Sequence, residues 1–227
     1  MSTIGEIAKI TVDDPQKDGW WFNRNYFFAG TGAVIFVLVM LYGIGGNAWM
    51  DNVAEVNAPT RWNDSLNYNN ILRGFLNSFG HLSWLHLLGN SVSFLIMGMY
   101  LERKLGTIKL LCLILALAFF TSSAIGANHL SNWWAGFSGV NFGLKFFIGM
   151  DCIFTLANRR TRTKVNVIFC SIVLVWILII FSVEIDPTFT FRIYPWRNMG
   201  HSSGALAGLV FGLIYQVLRI EQRAAAP

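Results

Sequence analysis

Six apolar runs divide this chain, and each is about as long as the hydrocarbon core of a bilayer is thick, which takes roughly 20 helical residues. They are Phe27–Gly45, Phe79–Tyr100, Ile108–Gly126, Phe137–Ala157, Val165–Val183 and Met199–Leu218. Pro59, Pro187 and Pro195 all fall between runs, where a residue that cannot donate to a helix ladder belongs. Such a pattern excludes a soluble globular domain, because a membrane offers backbone groups no partner except their own helix. Only 13% of the residues are charged, about half the globular norm of roughly 25%. The expected fold class is therefore an all-α membrane protein, a bundle of six transmembrane helices.

The formal charge of +5 does not mark a nucleic-acid partner, because the basic residues sit in short groups between apolar runs. Lys9, Lys17, Arg24, Arg103, Lys104, Lys109, Arg159, Arg160, Arg162, Lys164, Arg219 and Arg223 would share one side of the membrane. Arg61, Arg73, Arg192 and Arg197 would lie on the other, with Lys145 inside a span. The positive-inside rule then predicts that both termini are cytoplasmic. The first 26 residues lack the layout of a cleaved signal peptide, so the first run is expected to remain as an anchor. The expected organisation is a tail over residues 1–26, a membrane domain over 27–218 and a tail over 219–227. Short tails without targeting features point to a bacterial plasma membrane.

The long connection Gly46–Ser78 carries Trp49, Trp62, Tyr68 and Phe75, which suit a membrane–water boundary. A second connection, Glu184–Asn198, holds two prolines and is placed to cover whatever opens on that face. Cys112, Cys152 and Cys170 all lie in spans without metal-ligand or pairing spacing and read as small packing residues. No metal or other cofactor is expected.

Polar groups inside the runs carry the functional signal, since ionisable and amide side chains in a bilayer need partners or a task. His86 and Asn90 are four residues apart and share a helix face, with His81 about one turn nearer the outer surface. The fourth run opens Gly136-Phe-Ser138-Gly139, and the sixth opens Gly200-His201-Ser-Ser-Gly204. Gly200, Gly204, Gly208 and Gly212 recur every four residues, while Gly139 and Gly143 offer a matching pair. Small-residue ridges let two helix backbones approach closely. Both runs start at the same face, so their contact would bring the Ser138 hydroxyl to the His201 imidazole. Histidine is the usual base that activates a serine nucleophile.

A third, orienting carboxylate is not expected. Asp151 lies 13 residues past Ser138, about 19 Å along a helix at 1.5 Å per residue, too far to reach His201. Lys145 is a rival base, seven residues past Ser138 and on nearly the same face, although pairing with Asp151 or a place beside a water pocket suits it better. Asn90, His86 and the Ser138 amide are three donors that could stabilise an oxyanion.

Taken together, His81-x4-His86-x3-Asn90, Gly136-Phe-Ser138-Gly139 and His201-x2-Gly204-x3-Gly208 resemble the rhomboid family of intramembrane serine proteases in order and spacing. The resemblance spans roughly Arg73 to Gly212, and Glu102-Arg-Lys-Leu-Gly106 adds to it. It implies a six-helix rhomboid-like bundle that cleaves transmembrane protein substrates near the outer membrane boundary. Ser138 would be the nucleophile, His201 the general base, and His86 and Asn90 would line the oxyanion hole. His81 would be structural, and substrates would enter between the second and fifth spans. Phe142 stands where many members have tyrosine and can still stack on the histidine ring. Arg73 matches the family's first-loop arginine, but Leu72 replaces its usual tryptophan. Beside this reading stand a catalytically silent relative that binds client helices and, less suited to unbroken helices without an inverted repeat, a small transporter using Lys145 and Asp151. HExxH is absent and Asp151 is the only intramembrane aspartate, which disfavours metallo- and aspartyl proteolysis.

Overall fold

The computed structural model describes residues 28–49, 75–76, 78–81, 83–127, 136–159, 161–185 and 199–224. Among these, six helices follow one another: α1 Ala29–Trp49, α2 Trp84–Leu105, α3 Thr107–Ala127, α4 Ser138–Ala157, α5 Lys164–Ile185 and α6 Met199–Ala224. Stretches of α2, α3, α4 and α6 are long and apolar enough to cross a membrane; Ala29–Ile44 and Lys164–Ile180 are apolar but shorter. The N-terminal tail, most of the two long connections and Arg73 lie outside the described residues.

Both limits of α2 differ from expectation. The second run was placed at Phe79–Tyr100, yet α2 begins only at Trp84 because Ser83 caps it, its hydroxyl accepting from the His86 N–H at 3.1 Å. His81 therefore precedes the helix instead of lying on it. At the other end α2 continues through Glu102-Arg-Lys to Leu105, and Gly106, with φ +80°, ends it in a conformation open to glycine.

That extra turn has a structural purpose. The Glu102 carboxylate, fully buried, accepts from the Gly30 and Thr31 amides at 2.7 and 2.8 Å and from the Thr31 and Thr107 hydroxyls at 2.7 and 2.6 Å. A side chain of α2 thus caps the N-terminus of α1, whose first-turn N–H groups have no partner of their own. Three helices, α1, α2 and α3, meet at this one carboxylate.

The core is centred on α4, which is buried along most of its length. Its most extensive partner is α6. A Cβ added to Gly204 would overlap the Gly139 carbonyl oxygen, and one added to Gly208 would overlap that of Gly143. At Gly212 the backbone of Phe147 would lie 3.4 Å away. The ridge read from the sequence is a real seam, and only hydrogen fits at its contact points.

Asp151, 13 residues along α4 from Ser138, marks the opposite end of the bundle. Its carboxylate accepts from Tyr100 Oη at 2.7 Å and Gln216 Nε2 at 2.8 Å and forms a buried ion pair with Lys104. Its partners come from α2 and α6 instead of from Lys145, contrary to one expectation: six residues apart on a helix, the two positions lie about 120° apart around the axis.

Candidate active site

The turn Gly136-Phe137 sets the start of α4. Gly136 has φ +134°, and a Cβ on it would come within 2.7 Å of His86 Cε1 and 3.0 Å of Nε2, while standing 3.7 Å from Ser138 Oγ. Glycine is needed here for the backbone angle and for the ring that fills the space. The same measurements place the His86 ring and the Ser138 hydroxyl around one point. No side chain caps α4, so the N–H of Ser138, at its first position, has no partner within the helix.

One turn further, Phe142 stacks on the His201 ring, with centroids 4.3 Å apart and planes 7° from parallel. The seam between α4 and α6 sets this pairing, because the Gly200 carbonyl lies 3.0 Å from the point where a Gly139 Cβ would stand. His201 is thereby held on the same cavity as Ser138.

Ser138, His201, His86 and Asn90 line a single cavity of about 380 Å³, with Leu85, Gly89, Ser93, Asn141, Phe142 and Lys145 completing the wall. All four residues chosen from the sequence as the reacting and stabilising groups are brought together. The remaining choices surround them. Gly204 and Gly208 build the seam, and His81 is buried with its ring 5.2 Å from that of His86, edge to face. Burial, reinforced by the His86 charge, pushes the His81 imidazole pKa down to about 4, so it sits there neutral at pH 7.

Asn141 was missed as a site residue. Its Nδ2 donates to the Asn90 backbone carbonyl at 3.0 Å and to Asn90 Oδ1 at 3.1 Å. Two acceptors fix the orientation of both amides. Asn90 Oδ1 is thereby engaged, and Asn90 Nδ2 remains as a buried donor with no partner. Native proteins seldom leave such a group without a reason. The available signal was position: Asn141 lies three residues after Ser138, on an apolar helix where an amide is expensive.

Lys145 is also on the wall. It is 8% exposed, and its ammonium lies 4.5 Å from the Phe142 ring centroid and 5.4 Å from that of Trp176. The expectation of a place beside a pocket is met.

These features agree with comparison to known families. A Rhomboid domain model matches residues 68–217, about two thirds of the chain, and the protein belongs to the rhomboid family. With its long apolar helices it is an integral membrane protein. Comparison with curated proteins gives no match.

Proposed function

We propose that this protein is an intramembrane serine endopeptidase that cleaves transmembrane protein substrates near the extracytoplasmic boundary of a bacterial plasma membrane. The observation that carries the reading is the shared cavity: hydroxyl, imidazole and a partnerless amide donor face one space within a helical bundle. The topology that goes with it has six spans, both termini in the cytoplasm and the cavity opening outward. Substrate segments reach the site between α2 and α5.

In this mechanism His201 takes the Ser138 proton as Oγ attacks the scissile carbonyl. Negative charge develops on the carbonyl oxygen and is met by Asn90 Nδ2, the His86 ring and the Ser138 N–H. When the C–N bond breaks, His201 returns the proton to the leaving amine. Water, deprotonated by the same imidazole, then attacks the acyl-enzyme and releases the carboxylic acid, and Ser138 recovers its proton. Phe142 orients the histidine by stacking on its ring. Asn141 is a positioning residue, since it acts by turning the Asn90 amide toward the cavity.

The test is cleavage of a transmembrane reporter by protein reconstituted in liposomes. Wild type should cut it, and Ser138→Ala and His201→Ala should not. Cleavage by the Ser138→Ala protein would contradict the proposal. A folded wild type that labels with no serine-reactive probe and cuts no reporter would favour the silent, client-binding relative.

A further inference from the structure

Asn141 commits only half of its amide to Asn90. Its Nδ2 donates to the Asn90 backbone carbonyl and to Asn90 Oδ1, while its own Oδ1 is buried with no hydrogen-bond partner. The residue is 2% exposed and lines the cavity that holds Ser138 and His201. A buried acceptor left empty in a membrane helix is destabilising, and it calls for a donor from outside the fold.

Ser93 stands on the α2 wall of the same cavity in the same condition. It lies three residues past Asn90, on nearly the same helix face, and its Oγ is buried without a partner. Helical carbonyls point toward the C-terminus, so the Asn90 carbonyl that Asn141 engages is directed at the turn carrying Ser93. That bond sets the Asn141 amide at the level of Ser93. Together the two side chains offer one acceptor and one hydroxyl that can donate or accept. A carboxylate brings acceptors only and opposes Asn141 Oδ1. An ammonium brings donors only, and a charge that an apolar helix bundle disfavours. A methyl group meets neither side chain. A hydroxyl meets both, donating to Asn141 Oδ1 and accepting from Ser93 Oγ.

We propose that Asn141 and Ser93 form a substrate subsite for a side-chain hydroxyl, that of a serine or threonine at the residue whose carbonyl Ser138 attacks. Depth favours this residue, because its Cβ is two bonds from the carbonyl carbon held at Ser138. Asn141 lies three residues after Ser138, about 4.5 Å further along the helix, which a short side chain spans. Asn141 Oδ1 is the specificity-determining acceptor, while Nδ2 of the same amide positions Asn90. The inference rests on the protease reading and names the substrate feature that this site selects.

The experiment uses full-length protein in liposomes and one transmembrane reporter with Ala, Ser, Val, Thr or Asp at the cleavage position. Ser against Ala, and Thr against Val, compare similar shapes with and without the hydroxyl. Wild type should cut the Ser and Thr reporters with kcat/KM about five- to tenfold above their apolar counterparts, which leave a buried acceptor unmet. The Asp reporter should be the poorest. Asn141→Leu should slow cleavage of every reporter, through Asn90, and also bring both ratios close to one. Ser93→Ala should lower both ratios. A purely structural Asn141 would slow all reporters alike and leave the ratios standing, a result that overturns the subsite. Equal cleavage of Ser and Ala reporters by wild type also overturns it, since the two side chains then serve water alone. The wild-type series decides by itself if the variants do not fold. A folded wild type that cuts none of the reporters overturns the protease reading instead.

Discussion

The two ends of this bundle treat buried polar groups in opposite ways. At the end away from Ser138, Glu102 is met by four donors, and both oxygens of Asp151 are engaged by three side chains. At the other end Asn90 Nδ2, Ser93 Oγ and Asn141 Oδ1 are buried without partners around a cavity. A satisfied carboxylate in a bilayer ties helices together. Under the protease reading the unsatisfied donor at the Ser138 end, Asn90 Nδ2, meets the charge that develops on a substrate carbonyl. The contrast separates polar groups that hold the fold from those assigned to the proposed chemistry, and it gives mutations at the two ends different signatures.

The sharpest break should come from Ser138→Ala. Turnover should fall by about 10⁴-fold or more, as loss of a nucleophile does, while thermal unfolding in detergent stays within error of wild type. Asn90→Ala should lower turnover about 10- to 1000-fold with near-normal folding, the range expected for one oxyanion donor. Unchanged turnover would remove Asn90 from the site without removing Ser138 or His201. Gly208→Val tests the seam: valine needs space that the Gly143 backbone occupies, so stability should drop by about 3 kcal/mol and activity with it. Glu102→Gln belongs to the structural end. It should cost about 1–3 kcal/mol in unfolding experiments, yet leave kcat little changed in protein that remains folded. If Glu102→Gln depressed kcat at full stability, the division between the two ends would fail.

Much of this was legible because membranes impose few solutions. Run length located the six helices, and glycines four residues apart announced the α4–α6 seam that holds Ser138 and His201 in one cavity. Less legible were the places where one side chain reaches another helix. The distance of 71 residues between Thr31 and Glu102 left no periodic trace, so the second run was ended at Tyr100, two residues before the carboxylate that caps α1. Asn141 stood in plain view beside the serine, but its task depends on a bond to a residue 51 positions earlier. Lys145 and Asp151, on one helix, invited pairing, and only the placement of α2 and α6 shows that Asp151 is taken by Lys104, Tyr100 and Gln216.

Reaction with a fluorophosphonate probe reads most directly whether α6 activates the alcohol on α4. Wild-type protein in detergent should become covalently labelled at Ser138, whereas Ser138→Ala and His201→Ala should remain unlabelled. Labelling of folded His201→Ala at the wild-type rate would contradict the account, because the hydroxyl would then owe its reactivity to something other than the imidazole across the glycine seam.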